Sequence, residues 1–382
     1  MVVPVRWFRG WILVAIGLTG PLLAVAPAGS VPIRPPTYSA YSATPLDTVN
    51  VKGTVYATTI IGSRVYVGGA FEKVRHRGVD FAYPNLVAFD LATGALIESF
   101  RPNPNGEVRS LATEGTSIYV GGRFTTIGGQ RRSRLARLDA SSGALKPAFV
   151  ASVNARVDAI AFGAGRVFFA GRYTEVNGVR RRGLASVDGT TGALSDWDPA
   201  VVGGVAALEL SANARILYVG GGFTSIAGSS RSQLAAVSTR TATVVGRDFV
   251  GAIENVKSMA LSDDELSLFV GDVGNDLEAY DTVVGSRRWQ NTSARGDVQA
   301  THLGVDGYVY VGFHDGAGGL TDARVLAIDP DSGLTVNWHP RFASSAGIFT
   351  IASSSSRLVV GGDFWSVSGV AQDGLALFPV RR

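Results

Sequence analysis

The stretch "YVGGRFTTIGG", Tyr119–Gly129, decides how this chain is read. An apolar run closes on two adjacent glycines, an aromatic follows, and a second glycine pair ends the segment. Glycine inside a strand costs stability, because it packs nothing and loses the most backbone freedom. The pattern nevertheless recurs: YVGGAF from Tyr66, FFAGRY from Phe168, YVGGGF from Tyr218, FVGDVG from Phe269, YVGFHD from Tyr310 and VVGGDF from Val359. The residue after the Val, or its counterpart, falls at 68, 121, 170, 220, 271, 312 and 361, with spacings of 53, 49, 50, 51, 41 and 49 residues. A chain that repeats itself at such a period is built from stacked units.

Each unit divides alike. In the second, Val108–Thr113, Ser117–Phe124, Arg134–Asp139 and Ala144–Phe149 are short apolar runs with strand character. Between the third and fourth runs lies D-x-x-[ST]-G, at Asp90, Asp139, Asp188 and Asp329 with glycines four residues on. The Asp side chain accepts turn amides and the Gly takes positive φ, so this is a hairpin turn. The fourth run ends on a large ring: Phe100, Phe149, Trp197, Phe249, Trp289 and Trp338. One ring per unit at a fixed place suits packing between neighbouring sheets. The pairs Gly68–Gly69, Gly121–Gly122, Gly220–Gly221 and Gly361–Gly362 then end second strands where sheets twist and approach closely, leaving no room for a Cβ. Four short strands per unit predict an all-β, seven-bladed β-propeller with four antiparallel strands per blade. Two units depart from the pattern. The fourth has Ser238 and Ala242 in the turn, and the fifth is short between Gly271 and Asp281.

The termini complement each other. The last unit has three runs and no fourth, while Tyr38–Val49 precedes the first run unassigned. A ring that borrows a strand from its other end avoids an open edge, so Tyr38–Val49 is expected to close the last blade. Residues 38–382 then form a single domain. Arg6, Arg9, an apolar run and APA at Ala26–Ala28 predict a Sec signal peptide over 1–28, with 29–37 as a linker. The protein is expected outside the cytoplasm, with no membrane span once the signal is removed.

The unit YVGGxFTxIGG…LARLD…TGAL, closed by Trp or Phe, resembles the delta-60-type propeller repeats of exported bacterial proteins over about residues 38–382. Its glycine, Asp and aromatic landmarks are kelch-like, and Ala327–Trp338 is similar to the blade motif of quinoprotein dehydrogenases. The resemblance implies a β-propeller fold. It carries over no catalytic residue, since the matching positions are structural.

Composition narrows the chemistry. There is no Cys, which excludes a lipidated Cys, a thiol nucleophile and disulfides. The formal charge of +4 is too small to suggest nucleic acid. It is unevenly spread, with 14 Lys/Arg against 8 Asp/Glu over 101–200 and nine acidic residues against one Lys over 248–281. The four His stand in no zinc spacing, there is no G-x-S-x-G, and the Gly-rich turns end strands rather than open helices. Asp272 and Asp276 are the calcium candidates; no other cofactor is expected. Asp158, Asp196, Asp198 and Glu209 are further carboxylates that folding could pair.

The site expected is the mouth of the central channel. Each first run starts with a buried-type residue, and the next position varies: Tyr56, Arg109, Asp158, Ala206, Lys257, Gln299 and Phe349. One step round the pleat, these side chains turn toward water. Loops on that face add His76, Tyr83, Arg131, Arg132 and Arg181. These features predict a monomeric, non-catalytic binding or scaffolding module at the bacterial surface, its partner a carbohydrate, a cell-wall polymer or a protein. The alternative is a propeller enzyme of glycoside hydrolase or lyase type, with a carboxylate pair at the channel mouth.

Overall fold

The computed structural model describes residues 39–46, 49–246, 248–251, 253–316 and 321–381. The segments 1–28 and 29–37, along with Tyr38, Asp47 and Thr48, lie outside these. Among the described residues there is no α-helix. Seven antiparallel sheets of three or four strands follow one another along the chain, with two small two-stranded ribbons. Among the described residues, no helix is long and apolar enough to cross a membrane. Each sheet matches one sequence repeat. In the second, Val108–Glu114 pairs with Ser117–Gly122, which pairs with Leu135–Asp139.

The D-x-x-[ST]-G turns form as their residues dictate. Asp139 accepts the amides of Ser141 (3.0 Å) and Ser142 (3.1 Å), and Gly143 sits at φ 73°. Asp90, Asp188 and Asp329 cap their turns in the same manner. Hydrogen bonds to the ionised form hold the carboxyls of Asp90, Asp139 and Asp188 below the usual range. In the divergent fourth repeat, Ser238 Oγ replaces the carboxylate and Ala242 itself takes φ 59°.

The fourth run differs from expectation. It is a full strand only in the fifth repeat, Arg287–Asn291. In the first four repeats and the sixth it makes one bridge, such as Leu138 to Leu145, and then leaves the ladder. The reason is a turn, closed by Phe100 N to Ile97 O (3.1 Å) and Phe149 N to Lys146 O (3.2 Å), that swings the terminal ring back over the sheet. There it meets the second-strand aromatic edge to face: Tyr66–Phe100, Tyr119–Phe149, Phe168–Trp197 and Tyr310–Trp338, with centroids 5.1–5.6 Å apart.

These rings also tie each repeat to the next. Tyr66 donates to Ala140 O, Tyr119 to Gly189 O, Trp197 to Ser238 O and Trp289 to Pro330 O, at 2.7–2.9 Å. Trp338 donates to Ser42 O (3.1 Å), in the N-terminal segment. That segment lies along Leu375–Pro379: Tyr41 bridges Val380, and Ser42 N donates to Pro379 O (2.7 Å). It is not a regular strand. Val49, placed in it from sequence, instead begins the first strand of the first repeat and pairs with His76.

The two glycines of a pair have different neighbours. A Cβ on the first would strike the next repeat: Gly68 against Val108, Gly121 against Val157 and Gly220 against Val256, at 2.5–2.7 Å. Gly361 of the last repeat faces Val55 of the first in the same way, at 2.5 Å. A Cβ on the second would strike the first strand of its own sheet, as at Gly69 with Thr54 O (2.1 Å), Gly122 with Glu107 O (2.0 Å), Gly221 with Gly204 O (2.3 Å) and Gly362 with Gly347 O (2.4 Å).

Candidate functional site

The first strand is irregular where it passes the end of the second. In six repeats the ladder skips one residue there, between Val55 and Ala57, Val108 and Ser110, Val157 and Ala159, Val205 and Ala207, Val298 and Ala300, and Ile348 and Thr350. The skipped residues are Tyr56, Arg109, Asp158, Ala206, Gln299 and Phe349. A β-bulge re-aims its extra side chain. The residue before each is buried, whereas the bulged one is half-buried. Lys257 holds the equivalent place in the fifth repeat, just ahead of the strand Ser258–Leu261, its amide bonded to Gly271 O (2.8 Å).

All seven side chains line one cavity of about 850 Å³. The sequence-predicted rim is therefore a single place. One arc is aromatic and cationic. Tyr56 and Phe349 meet edge to face at 5.2 Å, and the Arg109 guanidinium lies over the Tyr56 ring, 4.1 Å from its centroid. Arg109 Nε is also 3.5 Å from Glu107 and 3.9 Å from Asp158. Asp158 is held closer by Arg156, at 2.5 Å. Farther round, Gly203, Gly204 and Ala206 leave the wall low, followed by Asn255 and Lys257, the latter 4.0 Å from Asp297. Gln299, oriented so that both amide atoms are satisfied, donates to Ala346 O (3.2 Å) and Ile348 O (3.3 Å).

Sequence reasoning missed Arg156, Arg172, Arg182 and Asn255, which line the same cavity. The signal was present. Arg156 precedes a bulge by two residues, and Arg172 directly follows the glycine position of FFAGRY.

The loop candidates are not brought to this cavity. Tyr83, expected as an exposed ligand contact, is fully buried: its hydroxyl donates to Glu98 O (3.1 Å) and Arg101 covers its ring at 4.3 Å. It is core, because the extended second strand Arg64–His76 and the hairpin strand Val79–Ala82 fold the loop onto the sheet. His76 ends that strand, its pKa lowered by burial and then by Arg77. Arg131 is exposed on a ribbon, Arg132 bonds Arg131 O (2.9 Å), and Arg181 lies 3.5 Å from Asp198.

Asp272 acts as a turn cap. Its two oxygens accept the amides of Gly274 (2.8 Å) and Glu254 (3.0 Å), and burial raises its pKa. Asp276 accepts from Gln290 (2.7 Å). Among the described residues, no three His, Asp or Glu side chains gather as a metal site would require.

A smaller cavity of about 240 Å³ lies against the first strands of repeats 4 to 6, lined by Glu209, Met259, Thr301 and His302 among others. Burial pushes Glu209 up to about 8 and His302 down to about 4. His302 shares a hydrogen bond with Ser353 Oγ (2.8 Å).

A family described as a β-propeller domain of unknown function, DUF5122, matches residues 117–149, the core of the second repeat. Among solved structures, the chain is similar to the β-propeller domain of Cps50 (Swd1) from Myceliophteria thermophila. The identity is 11%, the match covers 88% of this chain and 99% of that one, and the TM-score is 0.62. It is also similar to the computationally designed Ika8 protein, at 14% identity over 89% of this chain and all of that one, with a TM-score of 0.55. No curated protein matches. At these identities the likeness concerns fold alone, and the fold is a β-propeller.

Proposed function

We propose that this β-propeller is a closed ring of seven blades that works as a non-catalytic binding module, holding a polar ligand at the rim of its central channel. Two features support the ring: Gly68, Gly121, Gly220, Gly271 and Gly312 each meet the next repeat's first run, and Gly361 meets Val55. The N-terminal segment, docked on Leu375–Pro379 and capped by Trp338, supplies what the last blade lacks. Export is proposed from Arg6, Arg9 and the apolar run that ends at APA.

The binding role rests on one observation: in every repeat, the second residue of the first run, Tyr56, Arg109, Asp158, Ala206, Lys257, Gln299 or Phe349, sends a side chain to the same cavity. Catalysis by a carboxylate pair is disfavoured there, because Asp158 is the one carboxylate in the lining and it is engaged by Arg156. The test is an array of glycans and cell-wall polymers probed with residues 29–382. Binding that is lost in Arg109→Ala/Lys257→Ala at unchanged melting temperature supports the reading. Binding that survives that double variant refutes it.

A further inference from the structure

The lining of the central cavity is electrically lopsided. Arg109, Arg156, Arg172, Arg182 and Lys257 contribute five cations, and Asp158 is the one acid. Arg156 and Asp158 neutralise each other. Arg109 is shared among Tyr56, Glu107 and Asp158. Lys257 has only the 4.0 Å approach of Asp297. Arg172 and Arg182 are exposed and, among the described residues, make no side-chain hydrogen bond or ion pair. Cations gathered in a concavity and left without counter-charges hold a positive potential there, and they attract anions. Guanidinium groups also match a carboxylate's two oxygens with paired donors. The same lining holds the aromatic pair Tyr56 and Phe349, apolar surface on which a sugar's C–H groups can rest. The volume is that of a small-molecule pocket.

We infer that the ligand of this rim is an acidic sugar chain, whose carboxylate sits between the Arg172–Arg182 side and Lys257 while its ring packs toward Phe349 and Tyr56. This rests on the binding reading above and narrows it to one chemistry.

The test compares trigalacturonate with its methyl ester, which keeps the sugar and removes the charge, by calorimetry on the full chain. The acid should bind at least about tenfold more tightly than the ester, as expected for charge-assisted over neutral hydrogen bonds. Raising the salt from low to about 0.3 M should weaken it several-fold. Arg172→Ala/Arg182→Ala should weaken it about tenfold or more with the melting temperature unchanged. Equal affinity for acid and ester overturns the inference but leaves the binding site standing. Binding of the acid that no rim variant alters places it elsewhere, and both readings then fail. Failure to bind either compound also overturns the inference, while the array still decides whether the rim binds another partner.

Discussion

Gly122→Ala is the sharpest perturbation of this architecture. The new Cβ would lie 2.0 Å from Glu107 O and 3.0 Å from Val108 Cα. Both are backbone atoms and cannot rotate away. Gly122 cannot retreat either, since its amide is bonded to Arg134 O (3.1 Å) on the other side. The threatened oxygen already accepts from Arg123 N (2.8 Å), so displacing it sacrifices that bond as well. Overpacking costs about 1–3 kcal/mol and a lost hydrogen bond about 1 kcal/mol, so the variant should lose about 2–4 kcal/mol. Gly204→Ala is the control: nothing lies within 4 Å of its Cβ and its φ is ordinary, so it should stay within about 0.5 kcal/mol of wild type. Urea midpoints measure both. If the two variants unfold together, the glycine pair is not there to let the strands approach.

Three further outcomes follow from the same contacts. Removal of residues 38–46 takes away the Tyr41–Val380 bridge and the acceptor of Trp338, and should give an aggregating or early-melting protein; a monomer with unchanged melting temperature would contradict this. Glu209 carries a folded-state pKa raised to about 8, so the unfolded chain gives up its proton first and stability falls as pH rises from about 4.5 to about 8. Glu209→Gln should therefore add about 2 kcal/mol at pH 9 and nothing at pH 4, read from denaturant midpoints at the two pH values, with the half-buried site discounted for water. His302 has the opposite sign: its depressed pKa means stability is lost as pH falls from about 6.5 toward 4, and His302→Gln should flatten that acid limb.

What the sequence revealed and what it hid divide along physical lines. The repeats, the Asp-capped turns and the rim positions were legible because each is local. An Asp caps amides two and three residues on, and in the second repeat the bulge sits opposite Gly121 and Gly122 of the same hairpin. The fate of the fourth run was not, because a strand and a turn that throws Phe149 against Tyr119 share the same apolar pattern. Tyr83 was misjudged for a related reason: a polar-looking loop folded back as a hairpin, and the ring it carried became core. Arg182 escaped notice because only the three-dimensional arrangement brings the end of a ribbon loop to the cavity that the first strands line.

The central claim is the closed ring, and distance measurement tests it directly, since the chain has no native Cys to compete with introduced spin labels. Ser63, Thr116 and Ser356 are exposed and directly precede the second strands of the first, second and last repeats. Electron–electron distances should be nearly equal for Ser63→Cys/Thr116→Cys and Ser356→Cys/Ser63→Cys, because in a closed ring the last and first blades are neighbours like any other pair. A last-to-first distance far longer than the first-to-second would describe an open arc, and would contradict both the ring and the rim built upon it.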